Sequence, residues 1–420
     1  MTSCGRILLC KKNDKCIVPP RVTQDAGIIG RTQKYGRRGR VYRLRSEAAY
    51  RRAGKARYIR MKEKMRCGIV GATGMVGQRF ITLLADHPYF TVTALAASSR
   101  SAGIPYREAV EGRWKMTTPL PDGFGDMVVL DAAADIDRMR ELCDFVFCAV
   151  DMKKDEIKAL EEAYARAEIP VISNNSANRW TSDVPMVIPE INDSHLAVIQ
   201  SQRERLGTKR GFIAVKPNCS IQSYVPALTP LLKYGIREIL VTTYQAISGA
   251  GKTFATFPEM VDNVIPYISG EEEKSETEPL KIWGTVRGGT IVAADAPVIT
   301  TQCIRVPVTD GHLAAVFVKF DNVPPKDAIL AEWASFRGLP QMLALPHAPE
   351  QFITFFEEDN RPQVRLDRDL YGGMGVAVGR LRKDSIFDYK FVGLSHNTLR
   401  GAAGGAVLIA ELLYRQGYLD

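Results

Sequence analysis

Between residues 66 and 215, short apolar runs alternate with stretches whose apolar residues recur at helical spacing. Buried strands separated by helical crossovers give this pattern, because parallel strands are covered on both faces. Cys67-Gly68-Ile69-Val70 predicts a first strand, and Gln78–Ala85 a helix. Thr91–Ala96, Met127–Asp131, Phe145–Val150, Pro170–Ser173 and Phe212–Val215 predict further strands, with Lys154–Ala167 helical between them. Beyond residue 216 the pattern changes. Glu238–Gln245, Pro297–Val308 and Leu313–Val318 read as longer strands of a second sheet able to pair subunits. Tyr224–Lys233 has helical spacing, but Pro226 and Pro230 predict a short or kinked helix. A last helix is predicted over Asn397–Gln416, where Gly401–Ala406 are all small and permit close packing against the first domain.

Composition adds bounds. The 420 residues are 45% hydrophobic, enough for two cores. No uncharged apolar run reaches 18 residues, so no membrane-spanning helix is predicted. The net charge of +9 is unevenly placed: residues 1–64 hold nineteen Lys and Arg against four Asp and Glu, while the rest of the chain is net acidic. Nucleic-acid binding is therefore not expected of the body and would rest on the leader. Within that leader Cys4, Cys10 and Cys16 lack a fourth metal ligand, and Ser46–Lys64 could form a short basic helix. A disordered tail, an organellar targeting segment, an anion-binding arm, or residues preceding a true start at Met65 all stay open. Eight cysteines are too sparse for a disulfide framework, and a reducing cytoplasm suits them. Cys67, Cys143, Cys148 and Cys303 read as small core residues. The five histidines are scattered in sequence, and no metal site is predicted.

Candidate chemistry starts at Gly71-Ala72-Thr73-Gly74-Met75-Val76-Gly77, between the first strand and its helix. Glycines there let backbone approach a pyrophosphate held by free N–H groups at the helix start, so Gly71, Thr73, Gly74, Met75, Val76 and Gly77 are candidate cofactor contacts. After the second strand, where NAD-binding units carry an acid for the ribose, the chain reads Ala97-Ser98-Ser99-Arg100-Ser101. Ser98, Ser99, Arg100 and Ser101 suit a 2′-phosphate instead, which favours NADP. The fold expected is α/β: a Rossmann-type parallel-sheet domain over 65–216 with 396–420, and an α+β catalytic and dimerisation domain with a largely antiparallel sheet over 217–395. A cofactor cleft would lie between them.

Arg179 ends a polar cluster, Asn174–Arg179, and is a candidate anion binder. Cys219, in Lys216-Pro217-Asn218-Cys219-Ser220, follows a strand and precedes a helical segment, a position that favours the thiolate. Asn218 and Ser220 are candidate oxyanion donors. Gln245 ends a strand before a glycine-rich turn that includes Ser248 and Gly249. Glu271-Glu272-Glu273 reads as a solvated face, whereas Glu278 and Lys281 could pair with a zwitterionic substrate. His312, beside the turn residue Gly311, reads as an exposed general base. Arg305 lies seven residues before it, so strand geometry alone does not align the two.

Together these motifs resemble the aspartate-β-semialdehyde dehydrogenases, in their archaeal and fungal branch. The resemblance spans about residues 65–420 and rests on GATGMVG at 71–77, ASSRSAG at 97–103, NNSANR at 174–179, VIPEIN at 187–192, PNCS at 217–220, QAISGAG at 245–251, Glu278 with Lys281, Arg305 with His312, and NTLRGAAG at 397–404. It implies an NADP-dependent, phosphorylating enzyme of lysine, threonine and methionine biosynthesis. That enzyme would reduce aspartyl phosphate to aspartate semialdehyde and inorganic phosphate through a cysteine thioester. Cys219 would be the nucleophile, His312 the general acid/base, and Gln245 would position the acyl intermediate. Arg305 would hold the substrate carboxylate, Glu278 its amine, and Arg179 with Lys281 the phosphate; Asn397 would lie near the nicotinamide. The family is cytoplasmic and forms homodimers or homotetramers. The leader departs from the family, and NNSANR differs from the Asn-Ala-Lys form usual in the archaeal branch. Malonyl-CoA reductase, N-acetyl-glutamyl-phosphate reductase and a non-enzymatic nucleotide- or nucleic-acid-binding protein remain the alternatives.

Overall fold

The computed structural model describes residues 64–420. The expectations placed on Cys4, Cys10, Cys16 and the basic helix before Lys64 fall outside the described residues. Six parallel strands form the first sheet: β1 (Met65–Val70), β2 (Phe90–Ala97), β3 (Val129–Asp131), β4 (Phe145–Cys148), β5 (Val171–Ser173) and β6 (Ile213–Val215), in the order β3-β2-β1-β4-β5-β6. The order reverses at β1, which is the place where open parallel sheets bind ligands at the carboxyl ends of their strands. Cys67, Ile69, Val70 and Phe145–Cys148 are buried, as strands covered on both faces require. Helix α1 (Met75–Leu84) follows β1, and α2 (Lys154–Arg166) crosses from β4 to β5.

The second sheet holds β7 (Ile236–Gln245), β10 (Val298–Arg305), β11 (His312–Phe320), β12 (Ile353–Phe356), β13 (Val376–Lys383) and β14 (Tyr389–Ser395), in the order β10-β7-β11-β14-β13-β12. Its three central pairings are antiparallel and its two outer ones, β10 with β7 and β13 with β12, are parallel. A two-stranded hairpin, β8 (Thr285–Arg287) and β9 (Thr290–Val292), stands apart. Helix α3 (Glu271–Ile282) packs on β10, and the last helix, α4 (Ala403–Arg415), packs on α1 and β5 of the first sheet.

Several element boundaries shift by a few residues from those predicted, the start of the last helix most, while the Tyr224–Lys233 segment is broken as its prolines predict. The last helix begins at Ala403 rather than Asn397, because Asn397–Ala402 turn so tightly that a Cβ on Gly401 would meet the Asn397 carbonyl oxygen at 2.4 Å. Proline splits the Tyr224–Lys233 segment into short turns, Val225–Leu228 and Thr229–Tyr234.

Candidate active site

Strand register assembles the site. Arg305, the last residue of β10, is directly opposite Gln245, the last residue of β7. On the other side of β7, Leu313 of β11 pairs with Tyr244, which sets His312 at the same sheet end. The seven residues separating Arg305 from His312 in sequence are therefore bridged in space by β7. Gly249, just beyond β7, closes this end: a Cβ there would meet Arg305 Nη1 at 3.1 Å and His312 Nε2 at 3.2 Å.

Cys219 enters from the first sheet. It follows β6 through Lys216-Pro217-Asn218 and caps a four-residue 3₁₀ turn, Ser220–Ser223. Its half-buried Sγ lies 3.4 Å from His312 Nε2. His312 Nδ1 accepts the Ala246 N–H at 3.0 Å, so the neutral ring carries its proton on Nε2, facing the sulfur. Burial and neighbouring Arg305 push the His312 imidazole down to about 3, against the opposing pull of Glu271. The exposed histidine expected at this turn is in fact fully buried, because Gly311 turns the chain inward and its N–H is held by Asn397 Oδ1 at 2.7 Å. Asn397 also donates from Nδ2 to Ser248 Oγ at 2.8 Å, tying the two loops that flank His312.

Electrostatics at the sulfur depart from the sequence reading. Burial and the Glu271 carboxylate raise the Cys219 thiol above its ordinary value, and Lys216, Arg179 and Arg305 oppose them without overturning the balance. A four-residue 3₁₀ turn offers little of the dipole that a long helix would supply. Buried Lys216 donates from Nζ to the Pro217 carbonyl at 2.6 Å. Burial brings its amine down to about 7, with Cys219 and Glu278 favouring the charge and Arg179 and Arg400 opposing it.

Glu271 is the acid that the sequence reading missed. Rather than a solvated face, it is a buried residue at the start of α3, and both its oxygens accept from Asn218 Nδ2 at 3.0 Å. Gln245 Nε2 reaches it at 3.4 Å and Lys274 Nζ at 2.8 Å. Burial raises its carboxyl, but Lys274, Asn218 and His312 together hold it below the usual carboxylate range. The Asn218 side chain is thus committed to Glu271 and, through Oδ1, to Ser220 N at 2.8 Å, which takes it away from the oxyanion role expected for it.

Glu278 and Lys281 also sit differently from expectation. Glu278 Oε1 accepts from Arg179 Nη1 at 2.8 Å and its Oε2 from the Asn218 backbone N–H at 2.6 Å. It joins the anion loop to the nucleophile loop and is not free for a substrate amine. Lys281 Nζ donates to the carbonyls of Arg179, Thr181 and Val184, which uses all three of its protons and leaves none for phosphate. Arg179 further donates from Nε to the Lys216 carbonyl at 3.1 Å and from Nη2 to that of Asn174 at 3.2 Å.

A cleft of about 470 Å³ opens beside the turn after β1, lined by Gly71, Thr73, Gly74, Ser98, Ser99, Arg100 and Met152 among others. Its shape depends on glycine. Gly71 has φ +91, and a Cβ on it would meet the Ala149 carbonyl oxygen at 2.3 Å; one on Gly77 would strike Gly71 O at 2.2 Å. Gly74 caps α1 with no side-chain hydrogen bond, leaving the helix-start N–H groups to a ligand. Met75 and Val76 open that helix, half-buried behind the loop. Ser98, Ser99 and Arg100 are exposed at the carboxyl end of β2, while Ser101 is buried and its N–H closes a turn on the Ser98 carbonyl. A dinucleotide with a 2′-phosphate fits these donors.

One cluster outside this site was not legible in sequence. His87, His347 and Glu411 converge, with His87 Nε2 at 2.8 Å and His347 Nδ1 at 2.5 Å from Glu411 Oε1. His87 Nδ1 accepts the N–H groups of Tyr89 and Phe90, so its proton is on Nε2 and no lone pair faces a cation there. The trio is a hydrogen-bonded pin on the last helix.

Comparison with known proteins adds the family context. Residues 66–199 match the semialdehyde dehydrogenase NAD-binding domain family, and residues 228–400 the semialdehyde dehydrogenase dimerisation domain family. An aspartate-semialdehyde dehydrogenase of Aspergillus fumigatus is 42% identical over 365 residues, covering 85% of this chain and 99% of that protein. One from Methanothermobacter thermautotrophicus is 44% identical, covering 82% and 98%. The crystal structure of the Candida albicans aspartate-semialdehyde dehydrogenase with NADP superimposes with a TM-score of 0.76 at 39% identity, covering 84% of this chain and 99% of that one.

Proposed function

We propose, for a chain that belongs to the aspartate-semialdehyde dehydrogenase family, that it reduces aspartyl phosphate to aspartate semialdehyde with NADPH and runs the reverse phosphorylating oxidation, with Cys219 as nucleophile. The observation that carries the assignment of roles is the 3.4 Å contact between Cys219 Sγ and His312 Nε2, at a sheet end lined by Gln245, Arg305 and Glu271.

In the biosynthetic direction the Cys219 thiolate attacks the acyl carbon of aspartyl phosphate. The carbon–oxygen bond to phosphate breaks, and a thioester and inorganic phosphate result. Thiolate chemistry suits both halves of the reaction, since sulfur attacks an acyl phosphate readily and its thioester still accepts hydride. NADPH, when bound in the Gly71–Gly77 and Ser98–Arg100 cleft, supplies that hydride. The resulting thiohemiacetal oxyanion faces the His312 Nε2–H, which donates to it and recovers the proton as the carbon–sulfur bond breaks. Gln245 lies beside Glu271 and orients the acyl group. Arg305 holds the substrate carboxylate, its Nη1 anchored on the Ala246 carbonyl at 2.7 Å. Glu271 takes the substrate amine in place of Glu278. Arg179 takes the phosphate with Lys274, whose ammonium keeps protons spare beyond its Glu271 bond, in place of Lys281.

The two domains of this reading are 65–216 with 396–420 for cofactor binding and 217–395 for catalysis and pairing. The half-exposed face of β11, with Leu313, Ala315 and Phe317, provides a surface for a homodimer or homotetramer. No helix among the described residues is long and apolar enough to cross a membrane, and the five cysteines there are free thiols, which suits a cytoplasmic enzyme. A spectrophotometric assay tests the whole reading. NADPH should form from aspartate semialdehyde and NADP only when inorganic phosphate is present; formation without phosphate, or none with it, would reject the assignment.

A further inference from the structure

We propose that Glu161, on α2 and outside the catalytic pocket, is the positioning residue that sets the anion loop and thereby aims Arg179 at phosphate; this rests on the reading of Arg179 above.

Glu161 is 1% exposed, and no Lys, Arg or His among the described residues forms an ion pair with it. A buried carboxylate without a cation is costly unless hydrogen bonds satisfy it. Besides the Cys148 thiol, three side-chain donors reach Glu161, and all three come from one six-residue stretch. Oε1 accepts from Ser173 Oγ and from Asn175 Nδ2, the latter at 3.0 Å, and Oε2 accepts from Asn178 Nδ2 at 2.7 Å. Arg179 is the next residue. The same carboxylate therefore fixes the strand end, the middle and the last turn of the Ser173–Asn178 segment.

Backbone bonds hold the start of that segment, with Asn174 N–H on the Cys148 carbonyl at 2.9 Å and Lys216 N–H on the Ser173 carbonyl at 2.8 Å, and Glu161 adds the tie that reaches on to Asn178. Asn175 Nδ2 also touches Cys148 Sγ at 3.3 Å, and Asn175 N bonds Ser173 Oγ at 3.0 Å. From the opposite side Lys281 holds the Arg179, Thr181 and Val184 carbonyls. The loop is clamped between an anion that gathers its side chains and a cation that gathers its carbonyls. Arg179 leaves this clamp with its guanidinium already spread over Asn174 O, Lys216 O and Glu278. A small shift of the loop would redirect it. Burial raises the Glu161 carboxyl above its ordinary value despite Ser173, Asn178 and Asn175, so acid weakens the clamp at higher pH than for an exposed glutamate.

Polarity exchange provides the test. Glu161→Gln keeps the shape, but its amide must face either Asn178 Nδ2 or the Ser173 and Asn175 donors, placing donor against donor. Adding Asn178→Asp restores an acceptor opposite the new amide, and the Asp can still accept from Thr181 Oγ1, which bonds Asn178 Oδ1 at 3.1 Å. Full-length enzyme is assayed in the phosphorylating direction. Loss of one charge-assisted bond predicts a rise of about tenfold in KM for inorganic phosphate in E161Q. KM for aspartate semialdehyde should change little, and the E161Q/N178D double variant should recover most of the loss. Arg179→Leu is measured alongside. If R179L leaves the phosphate KM unchanged, the reading of Arg179 fails; if R179L raises it while E161Q does not, or the double variant gives no recovery, the role of Glu161 is refuted. Should E161Q prove insoluble, Asn178→Ser, which removes one of the three donors, is expected to raise the same KM selectively, and an equal effect on both KM values would overturn the proposal.

Discussion

Replacing Glu271 by Gln should do two opposite things at once. The carboxylate raises the Cys219 thiol, so its removal lowers that pKa and increases the thiolate present at neutral pH. At an effective dielectric near 20, a unit charge contributes about 4 kcal/mol at 4 Å and about half that at twice the distance. Even the weaker case, about 2 kcal/mol, raises the thiolate fraction at neutral pH more than tenfold. Lower basicity also makes each thiolate a poorer nucleophile, which leaves about a tenfold faster reaction with iodoacetamide at pH 7. Turnover should move the other way. A substrate ammonium that has lost its carboxylate partner in a buried site costs about 3 kcal/mol, or roughly 10²-fold in kcat/KM. On the proposed pairing, a bound substrate amine would neutralise the charge that raises the free thiol, so that the nucleophile becomes competent when its substrate arrives. Alkylation of the E271Q variant across pH 6–9, followed by mass spectrometry of the Cys219 peptide, gives the thiol pKa directly. A pKa equal to or above that of the parent enzyme would refute this electrostatic account, whatever happens to turnover.

Cys219→Ala should reduce turnover to background while calorimetric affinity for NADP stays within about twofold, since the cleft at Gly71–Gly77 does not include the sulfur. Lys216→Met should raise the Cys219 alkylation pKa, because the ammonium is foremost among the cations that favour the thiolate. Lys216 carries its charge below about 7 and loses it above, so the K216M effect on alkylation should be largest on the acid side of neutrality and fade as pH rises; a difference that grows with pH would contradict it. Glu190→Gln breaks a fully buried pair, in which Arg400 Nη1 and Nη2 meet the carboxylate at 2.7 and 2.5 Å. Urea unfolding should show a loss of about 3–5 kcal/mol, and a change below about 1 kcal/mol would show that the pair is not what holds Arg400.

The sequence carried most of the architecture because the two sheets obey different periodicities. Strands covered on both faces read as short continuous apolar runs, and β7 and β11 as longer ones, whose alternation appears in their burial rather than in their residue types. Glycines at 71 and 77 were legible for a related reason: each sits where a Cβ would strike backbone, and only such positions force the residue type. The row formed by Arg305, Gln245 and His312 was not legible, since strand order in a sheet is not written in the spacing of two residues on different strands. His312 looked exposed beside Gly311, whereas that glycine, at φ +102, directs the chain into the site.

The exchange of Glu278 for Glu271 shows most clearly where periodicity stops being informative. Both lie on α3, seven residues apart, with buried Ser275 between them, so they occupy one stripe of the helix. Helical spacing alone assigns them the same face and the same degree of burial. What separates them is two turns of rise, about 10 Å along the axis. That distance places the first acid beside Asn218 and Gln245, next to the sulfur, and the second beneath Arg179. Lys274 and Lys281 repeat the same offset: the former meets Glu271, and the latter is spent on three carbonyls under the anion loop. The two Glu-x-x-Lys pairs are thus equivalent as local sequence and opposite in role. In the proposed reaction one would meet the substrate, whereas the other, through Arg179 and the Asn218 N–H, joins the Asn174–Arg179 loop to the Cys219 loop. Only the position of the helix start relative to the sheet ends decides between them, and that is a property of tertiary packing.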